Sequence, residues 1–398
     1  MSTYSMVKVR TKPRLRARSG FTIIEMLVVI SIIAILLGLL LPAIGRARDT
    51  ALQTTSLSNL RQLSAGLAAY AGDWADRQPT LIPDDFCQSG GSIGNPTWYT
   101  DNIGCIPQPI LGWANVDGQR GLYGYWINLG NSRTCIDHEG PGSTSDYADN
   151  FKVALPYSCD LQIGFFRQPN LKIFSQYMNN KYYDPVFYAP KDRRKLDRVE
   201  KFFEQPHEFS FDDPAAGGDG AVEWSSYCFA ASAMFNPRIW DPVQNNNGNG
   251  TVNDKASAPC NGNGGGPSGL KSPPVGQATY PDLKTRILEH EWLQNAPGDT
   301  NPLFSGGREP YYFNHGIRSA PCTLFFDGSV RLMGVQEAVK SNERVTSPLN
   351  SSGESLWCRD WCDKDYFERQ SYGFELEESS YHILTRLGIK GRDTIGEE

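Results

Sequence analysis

The feature that most constrains this chain is an unbroken apolar run close to its N-terminus. Residues 21–41 read FTIIEMLVVISIIAILLGLLL and carry one charged side chain, Glu25. As an α-helix with a rise of 1.5 Å per residue, this run would be about 31 Å long, which matches a hydrocarbon core of about 30 Å. The sequence therefore predicts a membrane-spanning helix at residues 21–41.

Six basic residues and no acidic residue precede this run: Lys8, Arg10, Lys12, Arg14, Arg16 and Arg18. Positive charge beside a membrane span favours the cytoplasmic side, so we expect a cytoplasmic N-terminus, a single pass through the inner membrane and a periplasmic C-terminal part. The rest of the chain has 32 basic and 44 acidic residues, a net charge of about −12. This acidic balance argues against a nucleic-acid partner, which requires a basic face.

A secretory signal peptide is a second interpretation of the same pattern. A basic stretch followed by an apolar one is typical of such peptides, and Ala43-Ile44-Gly45 resembles a small-residue cleavage site. Against this, an ordinary signal peptide has an apolar stretch of only about 7–15 residues, and Glu25 would be unusual inside it. On these residues alone, a signal peptide and a plain membrane anchor both remain open.

The start of the apolar run resembles the prepilin peptidase motif of type IV pilins and type II secretion pseudopilins. The motif reads Ser19-Gly20-Phe21-Thr22-Ile23-Ile24-Glu25, and the similarity extends to about residue 74. The resemblance implies a leader of residues 1–20, cleavage between Gly20 and Phe21, and N-methylation of Phe21. Pro42, the twenty-second residue of the mature chain, matches a position where these proteins carry proline.

The same resemblance implies a role in assembly for Glu25. A carboxylate within lipid costs about 3 kcal/mol unless it is paired. In pilins this carboxylate is thought to pair with the N-terminal amine of a neighbouring subunit, which would favour one register between subunits. The implied partners are therefore prepilin peptidase, other pilin-like subunits bound through the N-terminal helix, and the lipid of the inner membrane.

Beyond the apolar run, the sequence predicts an amphipathic continuation of the helix over residues 42–78. Pro42 is expected to bend the helix, and the residues Asp76-Arg77-Gln78-Pro79 predict its end. Apolar residues at spacings of three and four form a stripe: Leu60, Leu63, Leu67, Tyr70 and Trp74. A one-sided stripe of this kind has to pack against another element.

Residues 79–398 are predicted to form a large β-rich head, which makes the chain an α+β protein with its long helix packed on an antiparallel sheet. Absence of a βαβ alternation favours antiparallel pairing. The Asn/Gly-rich stretch 244–269 predicts a surface loop or a disordered insertion. Strands are predicted from short apolar runs between turn signals, at residues 121–129, 161–166, 186–188, 227–234 and 323–333.

A second resemblance lies at residues 311–333, YYFNHGIRSAPCTLFFDGSVRLM. It is similar to the C-terminal His…Asp-Gly motif of a large pilin-like family abundant in planctomycete-type bacteria, with eleven residues between His315 and Asp327 where that family usually has nine. Asp327-Gly328 also predicts a hairpin turn. Two interpretations stay open: two turns that bracket a hairpin, or a His/Asp pair for acid–base chemistry or a metal.

The remaining chemical candidates are weaker. Neither the run 135–139 (CIDHE) nor the acidic loop with Asp212, Asp213 and Asp219 matches a known metal-site spacing. We therefore predict no cofactor and no metal. Nine cysteines follow the apolar run, and an oxidising periplasm would permit up to four disulfides among them. They are Cys87, Cys105, Cys135, Cys159, Cys228, Cys260, Cys322, Cys358 and Cys362.

Two classes of function follow. The first is a non-enzymatic structural subunit of a pilus-like fibre or a secretion system. The second is a membrane-tethered head that binds a ligand or catalyses a reaction and uses the pilin export route without forming a fibre. The head of 320 residues is large for a subunit repeated along a dense fibre, which favours a minor or low-copy subunit within the first class.

Overall fold

The computed structural model describes residues 22–82, 106–116, 119–127, 156, 165–210, 223–237, 271–289, 320–346, 356 and 385–396. The chain divides into two compact units, one up to Ala51 and one from Leu52 onward. The predictions for the loop 244–269 and for His315 fall outside the described residues. The same holds for Gly20 and Phe21.

The dominant element is helix α1, Ile23–Asp73, which has 51 residues. At 1.5 Å per residue it is about 77 Å long. Its first part is apolar on every side and exposed throughout, and the helix has the length and composition needed to cross a membrane. Pro42 lies inside α1. The buried residues of α1 begin at Ser56, whereas Ile44, just after Pro42, is 58% exposed.

The end of α1 is made by two residues with left-handed backbone conformations. Ala75 and Asp76 have φ angles of 53° and 62°. The Asp76 N–H donates to the Ala71 carbonyl at 2.7 Å, a bond that spans five residues and closes the last turn as helix C-caps do. The helix therefore ends at Asp73, a few residues before the turn signal that predicted its end.

The second unit is built around a four-stranded antiparallel sheet with the order β3-β4-β5-β6. Register is set by pairs such as Cys228↔Leu288 and Leu288↔Thr323. The strands are β3 Tyr227–Phe229, β4 Thr285–Glu289, β5 Cys322–Phe325 and β6 Val330–Leu332. The predicted α+β class, with a long N-terminal helix and an antiparallel sheet, is confirmed.

A separate hairpin pairs β1, Ile106–Val116, with β2, Gln119–Ile127. It covers most of the strand predicted at residues 121–129. The described residues of the second unit include four further helices: α2 Lys172–Ser175, α3 Arg193–Val199, α4 Ala231–Met234 and α5 Val335–Thr346.

Three strand predictions need correction. Residues 186–188 lie in and just after a 3-10 turn, Pro185–Phe187, because Pro185 fixes a helical φ and the Asp184 carboxylate accepts the Val186 N–H at 2.9 Å. The predicted strand 227–234 is a strand only over its first three residues and continues as α4. The described end of the predicted strand 161–166 begins another 3-10 turn, Phe165–Arg167.

The core joins α1 to the sheet. Leu60, Leu63 and Leu67 are fully buried and belong to one apolar cluster with Leu288 of β4 and Leu324 of β5. Tyr70 is also buried, so four members of the predicted stripe are in the core.

The prediction for Trp74, the fifth member of the stripe, is wrong, since this side chain is 50% exposed. Trp74 follows the last helical residue and therefore leaves the buried face. Its ring stacks on Tyr70 with centroids 5.8 Å apart, and its Nε1–H donates to Tyr177 Oη at 2.9 Å.

A buried ion pair attaches the C-terminal segment to the sheet. Lys284 Nζ lies 2.9 Å from Asp393 Oδ1, and both side chains are fully buried. The same carboxylate accepts from Thr285 N at 2.7 Å and from Thr385 Oγ1 at 2.6 Å. Such a pair offsets its desolvation cost only when further hydrogen bonds satisfy it, and here the backbone of β4 and a hydroxyl supply them.

The packing of α1 on the sheet can be tested with two leucines of different burial. Leu63→Ala removes a fully buried side chain, so the free energy of unfolding in urea should fall by about 2–5 kcal/mol. Leu332→Ala on β6 is the matched control: its side chain is 41% exposed, and its loss should cost less than about 1 kcal/mol. Equal losses in the two variants would contradict the described docking of α1.

Candidate functional site

The described structure begins at the N-terminal end of α1, where Thr22 and Glu25 cap the helix reciprocally. Glu25 Oε2 accepts from Thr22 N at 2.8 Å and from Thr22 Oγ1 at 2.9 Å. In return, Thr22 Oγ1 accepts the Glu25 N–H at 3.3 Å. This arrangement is a capping box, and its Thr-x-x-Glu signature is present in the sequence. Pairing between subunits was the role predicted for Glu25, and the cap was not predicted although Thr22 and Glu25 have its spacing.

The cap leaves one carboxylate oxygen of Glu25 available. Within the described residues, only Oε2 and not Oε1 of Glu25 has a hydrogen-bond partner. The other polar side chain of the apolar segment after Glu25, Ser31, donates its hydroxyl to the Leu27 carbonyl at 2.7 Å. Glu25 is therefore the group in this segment that can still accept a hydrogen bond or an ion pair from another molecule.

Of the His…Asp-Gly motif, the Asp327-Gly328 part lies among the described residues, and there the chain makes the predicted hairpin turn. The Gly328 N–H donates to the Phe325 carbonyl at 3.1 Å, and the Phe325 N–H donates to the Ser329 carbonyl at 2.9 Å. Gly328 has a φ of +85°, which glycine adopts without strain. Asp327 Oδ1 accepts the Ser329 N–H at 2.8 Å, so this carboxylate stabilises its own turn.

A buried polar cluster lies where α1 enters the head, and we call its five residues the seam cluster: Ser56, Asn59, Tyr227, Glu289 and Cys322. Ser56 Oγ lies 2.8 Å from Tyr227 Oη and donates to Glu289 Oε1 at 3.2 Å. Asn59 Nδ2 donates to Tyr227 Oη at 3.3 Å, and the Cys322 N–H donates to Glu289 Oε2 at 3.4 Å. The cluster thus connects α1 to β3, β4 and β5.

Burial changes the acid–base properties of the seam cluster. Desolvation raises the pKa of Glu289 to about 7, because the ionised form loses its hydration. The same cause raises the pKa of the Tyr227 phenol and the pKa of the Cys322 thiol, and the nearby Glu289 charge adds to both shifts. All three groups are therefore held towards their neutral forms.

The seam cluster was not predicted from the sequence, although part of its signal was available. Ser56 and Asn59 extend the buried stripe of Leu60 and Leu63 by one turn, at the same helical spacing. Polar residues on a buried face require buried polar partners. The sequence could not show that those partners stand on three strands more than 160 residues further along the chain.

Two of the nine cysteines, Cys228 and Cys322, fall among the described residues, and both side chains are buried. They stand on β3 and β5, which are separated by β4. Two strand spacings amount to about 9–10 Å, which exceeds the reach of a disulfide, so these two cysteines cannot pair with each other. The other seven cysteines lie outside the described residues, and their pairing stays a prediction.

Metal chemistry was predicted to be absent. Among the residues that the structure describes, no group of three His, Cys, Asp or Glu side chains is placed to hold a metal ion. The sequence candidates for a metal site lie outside those residues: the run 135–139, the acidic loop with Asp212, Asp213 and Asp219, and His315 of the C-terminal motif.

Comparison with known protein families identifies the prokaryotic N-terminal methylation motif at residues 15–41. The matched range contains Gly20, Phe21 and Glu25, and it supports a pilin-like protein that prepilin peptidase processes. No curated protein and no solved structure matches the chain. The resemblance of residues 311–333 to the planctomycete-type family stays a prediction.

The turn at Gly328 gives a test of the structural interpretation of the C-terminal motif. Gly328→Ala forces a side chain into a positive φ and should lower the free energy of unfolding by about 1 kcal/mol. Gly72→Ala, at a helical site with open space around it, should instead raise it by up to about 1 kcal/mol. Urea unfolding of both variants checks these opposite changes in the free energy of unfolding. An unchanged free energy of unfolding in Gly328→Ala would contradict the interpretation that the motif requires glycine for its positive φ.

Proposed function

We propose that this protein is a pilin-like structural subunit that prepilin peptidase processes and that assembles through its N-terminal helix into a type II secretion or type IV pilus-like structure. The observation that carries the proposal is the methylation motif at residues 15–41 placed at the start of one long helix. In this proposal the leader 1–20 is removed, Phe21 becomes the methylated N-terminus, and the head lies in the periplasm or, in an assembled fibre, outside the cell.

The two parts of α1 support different tasks. Its apolar part is exposed on all sides, as a helix must be if it lies first among lipid chains and then among the helices of other subunits. From Ser56 onward, one face is buried in the head. Helix α1 therefore contains both the segment that would insert into the membrane and assemble and the face that packs in the head.

Glu25 supports assembly over simple anchoring. The carboxylate is satisfied on one side by Thr22 and has an oxygen left over. In lipid, the group that would satisfy it best is a cation, and cleavage between Gly20 and Phe21 creates one as an α-amino group. A neighbouring subunit that presents this amine would pair with Glu25 at one axial stagger, while a slipped neighbour would leave both charges unpaired.

The size of the head supports a minor or low-copy role. A head of 320 residues repeated at every position would crowd a dense fibre. The same bulk favours the second candidate, a membrane-tethered ligand-binding or enzymatic head without a fibre. We assign no enzymatic role, because the polar clusters described in the head, around Glu289 and around Asp393, are buried and bonded internally.

Processing provides the first test. Mass analysis of the purified protein should find a mature chain that begins at Phe21 with an added methyl group and keeps the apolar run. Gly20→Ala should slow cleavage, since the peptidase requires a small flexible residue before the bond. Gly38→Ala, in the apolar run with open space around it, should be cleaved normally. A mature chain that begins after Gly45 would instead identify a secretory signal peptide and overturn the proposal.

Assembly provides the second test, on two polar residues of the same exposed segment. A charged side chain in lipid costs about 3 kcal/mol on insertion scales. Glu25→Val removes this cost, so membrane insertion should be unchanged or improved. Crosslinked oligomers or sheared fibres should decrease at least tenfold. Ser31→Val is the matched control, because its hydroxyl is already satisfied by Leu27, and both yields should stay at the wild-type level.

The outcomes separate the two candidates. If Glu25→Val inserts and assembles as well as wild type, Glu25 is not an assembly residue. If no oligomer forms from wild-type protein in cells that contain prepilin peptidase, the tethered head without a fibre becomes the better description.

A further inference from the structure

One arginine of the sheet is buried while part of its guanidinium group has no hydrogen-bond partner. Arg286 of β4 is 6% exposed. Its Nε and Nη2 atoms are buried and have no hydrogen-bond partner within the described part of the chain. Its Cζ lies 5.6 Å from the centre of the Phe326 ring. A ring face attracts a cation but accepts no strong hydrogen bond, so two N–H donors of a charged group stay unsatisfied in the interior.

A β-bulge sets Arg286 apart from the other residues of β4. Thr285 and Ile287 pair with two adjacent residues of β5, so Arg286 is the extra residue between them. Its backbone remains bonded on the other side, where its carbonyl accepts the Ala230 N–H at 2.9 Å. Bulges redirect a side chain and are frequent beside functional sites. The backbone therefore gives the Arg286 side chain a direction that a regular strand would not.

The charge of Arg286 is not neutralised by an ion pair with any Asp or Glu of the described residues. Burial lowers the pKa of Arg286 to about 10, and the negative charge of Asp76 acts in the opposite direction. The Asp76 carboxylate is itself engaged, since its Oδ2 accepts the Gly276 N–H at 2.9 Å. The guanidinium is therefore still charged at neutral pH, in surroundings where a cation without a paired anion is unfavourable.

The two unsatisfied atoms define the shape of the missing partner. Nε–H and Nη2–H lie on one edge of the planar guanidinium group and point in parallel, and such an edge binds both oxygens of a carboxylate at once. The surroundings define the rest of the partner. Phe326 belongs to a small buried apolar cluster with Ala230, Ala233 and Ile389. A carboxylate attached to a short apolar body fits both features.

We propose that Arg286 anchors a binding site for a small apolar carboxylate, which it holds through Nε and Nη2 inside the head. The site goes beyond the role of α1 in assembly, because every residue in it belongs to the second unit. Both nitrogens are covered, so the ligand has to displace a neighbouring group to reach them. The 3-10 turn Val275–Gln277 is suited to this movement, because Val275 packs on the cluster of Phe326 while Gly276 and Gln277 are exposed.

NMR titration of the full-length protein in detergent micelles with 13C-labelled butyrate tests the site. A ligand of this size should bind with a Kd of about 1 mM. Butyramide has the same shape without the charge, and it should bind at least about tenfold more weakly. An equal concentration of inorganic phosphate should not displace butyrate, because the apolar cluster offers its remaining oxygens no donor.

Two arginines of the sheet give a matched pair of variants. Arg286→Lys keeps the charge but loses the edge with two parallel donors, so its Kd for butyrate should rise at least about tenfold. Arg331→Lys on β6 is the control. The Arg331 guanidinium also lies over a ring, 3.8 Å from the centre of Phe325, but it is exposed and donates to the Asp282 carbonyl at 2.7 Å. Its replacement should leave the Kd at the wild-type level.

A third variant keeps the proposal testable if Arg286→Lys does not fold. Asp76→Asn retains an oxygen for the Gly276 N–H and removes a charge that repels an anion at Arg286, so the Kd for butyrate should fall about threefold. An unchanged Kd in Asp76→Asn or in Arg286→Lys would place the ligand elsewhere and overturn the proposal. Absence of saturable butyrate binding, equal binding of butyramide, or displacement by phosphate would overturn it as well.

Discussion

The structure depends on one change of environment along a single helix. Up to Ala51 the side chains of α1 face outward on every side, whereas from Ser56 one face is buried against strands β3, β4 and β5. Each fully buried leucine of that face stabilises the head by about 2 kcal/mol relative to exposure. Leu60, Leu63 and Leu67 together therefore make the helix an integral part of the core. An isolated head without residues 56–73 would expose the face of the sheet that they cover.

The polar groups of the core follow from the same docking. The docked helix brings Ser56 and Asn59 to the ends of the strands. There they form hydrogen bonds with the buried side chains of Tyr227 and Glu289. At the other end of β4, Lys284 and Asp393 attach the C-terminal segment. The two clusters differ in charge balance. Lys284 and Asp393 neutralise each other, and Glu289 has no cation among its described partners.

Much of this architecture could be predicted from local pattern. The apolar run, the spacing of Leu60, Leu63 and Leu67, and the Asp327-Gly328 turn each depend on neighbours within a few residues, and all three are present in the structure. Trp74 shows the limit of periodicity. It continues the spacing of the stripe, but the left-handed residues after Asp73 end the helix, and a side chain beyond that point no longer follows the helical face. The prediction of a strand at residues 186–188 was wrong for a related reason. Pro185 and the cap from Asp184 impose a 3-10 turn on the backbone there.

The two acidic residues that matter most differ in how far the sequence could explain them. Glu25 is the one charged residue of the apolar run, so the sequence alone marks it as a residue with a role. The residue that caps it, Thr22, lies three positions before it. Glu289 stands at the end of an ordinary strand, and nothing near it in sequence marks it as buried. Burial raises its pKa, and the residues that contact it, Ser56 and Cys322, belong to elements that lie before and after β4 in the chain. A pKa displaced by burial is therefore a property of the assembled core, whereas a charge in an apolar helix is already visible in the sequence.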